Sequence, residues 1–295
     1  RDVYTGRTLW KKPLETGTAF GVYYDASYKH DFRYLGSNQG HIPGANARGT
    51  DFVVTKDRVY VVQDDECHVL DPDTGQTRQV FALPDPNGQG RPKWGYIGVC
   101  DDTLIAGASF ARYSSMLKPP GSKSETAAAP FVDRSVSRRL VVMDRCDGKV
   151  LWSVDANDGF IHNGIVAGGG RVFCLDVAPP YVRRNALADA GVGRSGRLLA
   201  LDIRTGRLIW ENRENAFGSW LSLSDEFGVL VQAHRKSSDM LWEPGDRMAA
   251  FRAESGEILW DRKIDYSGPC IVQAGMVLTQ EIVRALLGGG HSGLP

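Results

Sequence analysis

The sequence has neither a net charge nor a long apolar run. Its 35 lysine and arginine residues balance 35 aspartate and glutamate residues, so no overall field attracts nucleic acid or an anionic membrane surface. No apolar run approaches the ~20 residues that a helix needs to cross a bilayer. We therefore expect a chain that binds no nucleic acid and contains no membrane span.

Cysteine is scarce as well, with five residues in a chain of 295. No two cysteines are adjacent, and none form a Cys-x-x-Cys motif, so no spacing proposes a disulfide or a zinc site. Cys100, Cys174 and Cys270 fall in expected strands. There a small buried apolar residue is the preferred interpretation, and a disulfide is the alternative.

Motifs for catalysis and for metal binding are missing too. The sequence has no Gly-x-Ser-x-Gly, and spacing alone assembles no Ser-His-Asp set. The acidic residues 64–66 and the pair Asp71 and Asp73 lie at expected turns without EF-hand spacing. Asp144 and Asp202 precede hairpin turns, where we expect them to bond turn amides. We predict no catalytic residue and no metal site.

A short sequence motif recurs along the length of the chain. The copy at 205–210 reads Thr-Gly-Arg-Leu-Ile-Trp, and related copies begin at residues 5, 74, 147 and 255. In the copy at residue 74 the tryptophan is lost, and Gln79 stands in its position. The repeated glycines are Gly6, Gly75, Gly148, Gly206 and Gly256, and the repeated tryptophans are Trp10, Trp152, Trp210 and Trp260.

Each copy predicts a strand, a tight turn and a second strand. The glycine supplies the positive φ that a two-residue hairpin turn requires. A second hairpin lies upstream of most copies, so each repeat predicts a four-stranded antiparallel blade, and the array predicts an all-β propeller. We expect a single domain at 1–284, with half blades at 1–14 and 268–283, complete blades at 50–84, 94–155, 160–212 and 218–262, and a flexible tail at 285–295.

The pattern Ala-Leu-Asp-x-x-Thr-Gly-x-x-x-Trp resembles the repeat of PQQ-like, quinoprotein-type β-propellers, also found in outer-membrane assembly-factor propellers. Stretches such as 162–170, 244–248 and 266–269 are similar to large PQQ-like repeat proteins of environmental bacteria such as planctomycetes. The resemblance covers about residues 1–283. It implies that the repeated tryptophans wedge between blades and that the protein is extracytoplasmic, in the periplasm or cell envelope.

Ring closure has two alternatives. Propellers of this type commonly have eight blades, so the resemblance implies a partial, open arc of an eight-bladed ring. In the other arrangement, the N-terminal hairpin at 2–10 pairs with the C-terminal hairpin at 268–283 in one composite blade, which closes a five-bladed ring and removes two exposed sheet edges. We expect the open arc.

The long connections of the chain are predicted to share one rim. With strands A to D counted outward from the axis, every long segment joins B to C or D to A, and these connections meet on one face. The long segments are 15–49, 85–93, 110–137, 178–196 and 236–246. That rim also holds the starts of the A strands, where polar and aromatic residues converge on a funnel that suits an anionic or planar ligand. We prefer the interpretation that these residues simply line a water-filled channel, as polar residues do in other propellers. The funnel candidates are Arg48, Asp51, Trp94, Tyr96, His162, Asn163 and Trp220.

Two classes of function follow. We expect a non-catalytic scaffold that binds an unidentified protein or small-molecule ligand on the long-connection rim, and no cofactor. The alternative is a PQQ-dependent quinoprotein dehydrogenase that oxidises alcohols or sugars. For this alternative the resemblance implies PQQ stacked between a tryptophan and a disulfide of adjacent cysteines, beside calcium. The chain has no adjacent cysteines, and only Trp94 or Trp220 is placed to stack the cofactor.

Overall fold

The computed structural model describes residues 4–13, 51–85, 88, 90–113, 131–179, 196–234, 243, 245–273 and 275–280. Over these residues the chain forms β-strands and no helix, which confirms the predicted all-β class. The strands are β1 (Phe52–Val54), β2 (Val59–Gln63), β3 (Glu66–Leu70), β4 (Thr77–Ala82), β5 (Trp94–Cys100), β6 (Thr103–Tyr113), β7 (Phe131–Asp144), β8 (Val150–Gly168), β9 (Arg171–Asp176), β10 (Arg197–Asp202), β11 (Leu208–Asn212), β12 (Trp220–Ser224), β13 (Val229–Ala233), β14 (Met248–Arg252), β15 (Ile258–Arg262), β16 (Ser267–Gln273) and β17 (Met276–Gln280).

The strands pair in chain order, always antiparallel. β1 to β4 form one sheet, β5 to β11 a second, β12 to β15 a third, and β16 pairs with β17. The innermost strands β1, β5, β8, β12 and β16 contact one another in that sequence, so they line a common axis. This arrangement is that of a β-propeller. We retain the blade boundaries drawn from the sequence, and the open arc, as proposals.

β8 joins two blades that the sequence separates. Its first half pairs with β7 and its second half with β9, so the predicted break between residues 155 and 160 falls inside one continuous strand. The buried carboxylate of Asp176 accepts hydrogen bonds from the amides of Asn157, Asp158 and Gly159 at 2.8–2.9 Å. Arg197 Nε also donates to this carboxylate, at 2.8 Å. The carboxylate thus satisfies three backbone amides where β8 passes from one blade to the next, and Arg197 balances its charge.

The repeated glycine closes a four-residue turn, so the prediction of a two-residue turn is wrong. The amide of Asp71 donates to Gln76 O at 2.8 Å, and the amide of Gly75 donates back to Asp71 O at 2.9 Å. Asp71 Oδ1 accepts from the amides of Asp73 and Thr74, which requires the longer turn. The pKa of the Asp71 carboxyl is lowered to about 2. The largest cause is the hydrogen bond from the Thr74 amide, and the second is the hydrogen bond from the Arg78 side chain. Asp144 and Asp202 bind turn amides in the same way.

The turn glycines also receive an aromatic ring from the preceding repeat. Their φ angles lie between 68° and 74°, a conformation that side chains with a Cβ rarely adopt. A methyl group built on Gly206 would lie 2.6 Å from the Trp152 ring, and one on Gly256 would lie 2.7 Å from the Trp210 ring. Gly75 meets the Trp10 ring in the same manner. A side chain at these positions would therefore displace the indole.

Each of these indoles is also fixed by its N–H group. Trp10 Nε1 donates to Pro72 O at 2.7 Å, and Trp152 Nε1 donates to Ile203 O at 2.9 Å. Trp210 Nε1 donates to Ala253 O at 3.0 Å. The acceptor is always the third residue before the turn glycine of the next repeat. Ring packing and the hydrogen bond together set both the distance and the angle between blades.

The degenerate copy keeps this junction with different side chains. Gln79, at the lost tryptophan position, is exposed. Phe81, two residues further along the same strand, places its ring 2.6 Å from a methyl group built on Gly148. The carbonyl of Arg145, which corresponds to the indole acceptors, accepts from the Tyr60 hydroxyl at 2.9 Å and from Arg58 Nη1 at 3.0 Å. A phenyl ring and a phenol thus replace one indole.

The hydrophobic core lies between neighbouring blades. Tyr60 of the first blade packs in the same buried cluster as Leu104 of the second. Phe173 of the third blade shares a cluster with Phe251 of the fourth. Each blade is therefore stabilised mainly by its neighbours, as expected for a repeat array.

The Trp210–Gly256 junction yields a test of the fold. Trp210→Ala should lower the free energy of unfolding by about 3 kcal/mol, because it removes a large ring from between two blades. Gly256→Ala should cost about 1–2 kcal/mol through backbone strain. Since both changes disrupt one contact, the double variant should cost less than the sum of the two. Urea unfolding measures all three.

The control for this cycle is Leu208→Ala, which truncates a 47% exposed side chain on the same strand and should change stability little. Strict additivity of the Trp210 and Gly256 changes would contradict the proposed contact.

The substitute junction gives a second prediction. Tyr60→Phe should destabilise the protein by about 1 kcal/mol, because the Arg145 carbonyl loses one of its two donors. Tyr4→Phe, at a residue that is 94% exposed, is the matched control and should leave the unfolding midpoint unchanged. Equal midpoints for the two variants would show that the phenol does not replace the indole N–H.

Candidate partner-binding face

The short turns of the propeller meet on one rim. The amide of Arg145 donates to Asp102 O, that of Ile203 to Gly170 O, and that of Ala253 to Gly228 O. Each bond joins a turn between strands C and D to the turn between strands A and B of the same blade. An antiparallel blade then places its other connections at the opposite rim. We call that opposite rim the long-connection rim.

Ion pairs link neighbouring blades along the turn rim. Arg145 Nη1 contacts Asp57 Oδ1 at 2.9 Å, and Arg204 Nη2 contacts Asp102 Oδ2 at 3.4 Å. Both pairs join the second blade to a neighbour. Arg145 and Arg204 thus stabilise contacts between neighbouring blades on this rim.

On the long-connection rim, β6 and β7 continue beyond their blade as a paired extension. We call residues 110–113 and 131–138 the arm. Ala111 pairs with Asp133, and Tyr113 with Phe131, so both ends of the connection predicted at 110–137 are strand. The lengths of β6 and β7, 11 and 14 residues, reflect this extension.

One side of the arm packs into the core of the third blade. Ala111, Tyr113 and Val136 are buried in the same cluster as Ile161 and Phe173. The Tyr113 hydroxyl donates to Asp158 O at 3.2 Å, and burial raises the pKa of this phenol. The arm is therefore fixed in place by ordinary core packing.

The other side of the arm points outward and carries arginines among apolar residues. Arg112, Val132 and Arg138 are exposed, while Phe110 and Arg134 are half-buried. The guanidinium of Arg134 lies over the Phe110 ring, 6.0 Å from its centroid. Within the described part of the chain, Arg112, Arg134 and Arg138 form no ion pair. No sequence pattern marks these residues as a site, because the segment 110–137 is predicted to be a connection between strands.

The funnel candidates Tyr96 and His162 are brought together, with His162 buried and Tyr96 half-buried. Their ring centroids lie 6.1 Å apart. His162 Nε2 lies 2.8 Å from Ser137 Oγ, and both residues are at most 1% exposed. Burial also raises the pKa of Tyr96 to about 12. Serine beside histidine is the arrangement of an activated nucleophile, but this pair is sealed between β5, β7 and β8.

The candidates Trp94 and Trp220 are engaged in packing between blades. Trp94 is 4% exposed, and its Nε1 donates to Asp65 O at 3.2 Å. Trp220 Nε1 donates to Cys270 O at 3.0 Å, and its ring packs beside Tyr266 and Cys270 in a buried cluster. Both indoles follow the pattern of the repeat tryptophans, with the N–H directed at a neighbouring blade.

The other candidates are dispersed or lie outside the described residues. Asp51 is exposed, and its carbonyl accepts from the amide of Val62 at 2.7 Å. Asn163 is half-buried in β8, beside His162. Arg48 lies outside the described residues. The structure therefore joins Tyr96 and His162, and it adds Ser137, which no sequence signal identified.

The described residues do not assemble a PQQ site. Trp94 is buried in the cluster between the first two blades, and Trp220 is half-buried against the cluster between the last two. The buried carboxylates of the described residues already have protein partners, and Glu243 Oε2 accepts from Ser219 Oγ at 2.6 Å. Asp176 binds three amides and Arg197, and Asp133 Oδ1 accepts from the amide and hydroxyl of Ser135.

All five cysteines are free thiols in this structure, and Cys100, which was expected to be buried, is half-buried. Cys67, Cys174 and Cys270 are buried. Burial raises the pKa of the Cys67 thiol to about 12 and that of Cys270 to about 11. These thiols are inert core residues under ordinary conditions.

Comparison with known proteins places the chain in a family. Residues 119–270 match the family model described as outer membrane protein assembly factor BamB. Because the match covers just over half of the chain, the protein belongs to this family of PQQ-like propellers. No curated protein sequence matches the chain.

Solved structures with a similar fold include BamB and two dehydrogenases. BamB from Moraxella catarrhalis is 14% identical, with 78% of this chain and 57% of that chain covered and a TM-score of 0.42. Quinohemoprotein alcohol dehydrogenase from Comamonas testosteroni is 15% identical, with 79% and 39% covered and a TM-score of 0.46. A europium-containing methanol dehydrogenase is 13% identical, with 79% and 46% covered and a TM-score of 0.46. The chain thus spans between 39% and 57% of these proteins.

In the portion of the chain that the structure describes, no helix has the length and apolarity to cross a membrane.

Proposed function

We propose that this protein is a non-catalytic PQQ-like propeller that binds a protein partner through the outward side of the arm. The observation that carries the proposal is the set of outward arginines beside Phe110 and Val132. Arginine and aromatic residues are the side chains most enriched where binding energy concentrates in protein interfaces. The arm also lies on the rim where the fold places its long connections.

The rigidity of the arm supports this function. Ala111, Tyr113 and Val136 anchor it in the core, so the outward side chains are held in position before a partner arrives. A surface ordered in advance loses less conformational entropy on binding.

The charge of the arm indicates the chemistry of the partner. Arg112, Arg134 and Arg138 all lie on the arm of a chain whose overall charge is zero. Arg139, next to them, pairs with Asp155 through two hydrogen bonds of 2.6 and 3.1 Å. A guanidinium prefers a carboxylate in this bidentate form. We therefore propose a partner segment that presents carboxylates beside apolar side chains.

The family description also bears on where the protein acts. A family described by an outer membrane protein assembly factor supports an extracytoplasmic location in the cell envelope, which we propose for this protein.

The binding function is tested by reversing charge on the arm. Arg112→Glu with Arg138→Glu should abolish capture of carboxylate-rich partners from cell-envelope extracts, as measured by quantitative mass spectrometry. Lys56→Glu with Lys149→Glu makes the same charge change at exposed residues of the turn rim and should leave capture unchanged. If the arm variant retains the same proteins as the unaltered chain, the arm is not the binding face.

The dehydrogenase alternative receives a separate test. Incubation with PQQ and calcium should give neither stoichiometric cofactor binding nor sustained dye reduction with alcohols or aldose sugars, because both candidate stacking indoles are packed between blades. Equilibrium dialysis and a dye-linked assay measure the two properties. Binding of one PQQ per chain together with turnover would favour the enzyme.

A further inference from the structure

One residue inside a strand has a backbone conformation that strands do not use. Ser109 of β6 has a φ of 57°, in the left-handed region. Asp64 and Asp101, the two other non-glycine residues with positive φ among those described, lie in turns. The left-handed region is strained for a residue that has a Cβ. Such strain persists only where the surrounding structure imposes it, and it is frequent at functional positions.

Ser109 marks the point where β6 leaves its blade and becomes the arm. Up to Ala108, β6 pairs with β5 on one side and with β7 on the other, and from Phe110 onward its partner is β7. The Ser109 amide donates to Lys93 O at 2.8 Å, which holds the base of the arm. Close to Ser137, β7 shifts register against both of its neighbours. Since such irregularities bend a strand, the arm turns away from its own blade at this level.

The bent arm rests on a glycine of β8. A methyl group built on Gly159 would lie 2.6 Å from the Tyr113 hydroxyl and would also collide with Val136. The backbone of Gly159 is itself fixed, because its amide donates to Asp176 Oδ1 at 2.9 Å and its carbonyl accepts from the amide of Val177 at 3.0 Å. Gly159 is therefore a rigid seat for the arm, with no room for a side chain.

The arm is held by blades other than its own. Its strands belong to the second blade, yet the cluster that includes Tyr113 and Val136 also contains Phe173 of the third blade and Phe251 of the fourth. The orientation of the arm is thus set by where it is received, and any residue that directs it there controls what its outward side presents.

We propose that Ser109 and Gly159 are positioning residues of the binding face. Ser109 turns the arm out of its blade, and Gly159 receives it, so that the outward arginines are presented in a single orientation. This inference rests on the proposed function, because the arm is positioned for the partner that binds there. A bidentate arginine contact requires a defined geometry, and a surface ordered in advance loses less entropy on binding.

The position of the arm can be read from Tyr113. Its hydroxyl donates to Asp158 O at 3.2 Å, and burial raises the pKa of the phenol. N-acetylimidazole acetylates exposed phenols, so mass spectrometry of the treated protein at neutral pH should find Tyr113 unmodified. Tyr4, which is 94% exposed, should be modified in every variant, and the fully buried Tyr60 should stay unmodified in every variant that is folded.

Four variants test the two positioning residues. Gly159→Ala and Ser109→Val should each make Tyr113 reactive while Tyr60 stays protected. In the first the methyl group displaces the arm, and in the second a β-branched residue disfavours the left-handed φ. Ser109→Gly, the conservative variant, adopts the same φ without strain, so it should keep Tyr113 protected and raise the unfolding midpoint. Gly170→Ala, the matched control, adds a methyl group at a glycine with open space and should leave Tyr113 protected.

Binding is measured on the same variants by fluorescence anisotropy, with a dye-labelled peptide of alternating glutamates and leucines as the probe. Gly159→Ala and Ser109→Val should weaken binding at least about tenfold, as expected when contacts that dominate an interface are lost. Ser109→Gly should retain the affinity, and so should Gly170→Ala. A reactive Tyr113 with unchanged affinity would overturn the positioning role. Continued protection of Tyr113 in both Gly159→Ala and Ser109→Val would overturn it as well.

A charge-reversal variant separates this inference from the proposed function. Arg112→Glu with Arg138→Glu should abolish binding of the peptide and leave Tyr113 protected, since the arm stays seated. If this variant binds the peptide as the unaltered chain does, the arm is not the binding face. That failure belongs to the proposed function, and it is recognisable because Tyr113 still becomes reactive in Gly159→Ala.

Discussion

The contact on which the rest of this protein depends is an indole resting on a glycine in the left-handed conformation. Neither half of the contact is useful alone. The glycine offers a flat space only because it has no side chain, and the ring occupies that space only because the next turn lies at a fixed distance. The indole N–H then bonds a carbonyl of the same turn, as Trp210 does with Ala253. Because this unit recurs at successive junctions, it positions one blade after another around the axis.

The stability of the array follows from this arrangement. The clusters of buried side chains lie between sheets, so no blade has a core of its own. The turn rim adds ion pairs to two of these junctions, Arg145 with Asp57 and Arg204 with Asp102. On the other rim, the arm packs Tyr113 and Val136 into the cluster of the third blade.

Much of this fold could be predicted from the sequence, because each repeat contains both the turn glycine and the tryptophan that form the junction between blades. The spacing of these residues predicts the blades and the position of the interfaces between them. The degenerate copy was harder to interpret, since the contact there is made by Phe81 and Tyr60, which lie off the repeat position. No pattern in one sequence shows that the ring packing and the hydrogen bond of one indole will come from two residues on different strands.

The candidate site was less accessible to sequence reasoning. Trp94 and Trp220 start innermost strands, and their position suggested an open funnel, but their burial depends on the neighbouring blade. The sequence predicts a loop at residues 110–137, because apolar and polar residues do not alternate clearly there and the central part is polar. Its pairing follows from long-range packing of Tyr113 and Val136 against the third blade.

The central claim is that the repeat indoles bridge neighbouring blades, and hydrogen exchange of the indole N–H groups tests it most directly. In a spectrum of the ¹⁵N-labelled protein, assigned with single tryptophan variants, the N–H of Trp152 and Trp210 should exchange slowly, since both are bonded to the next blade. The N–H of Trp260, for which the described residues supply no acceptor, should exchange fast. Rapid exchange at Trp152 and Trp210, or equal protection of Trp260, would contradict the account.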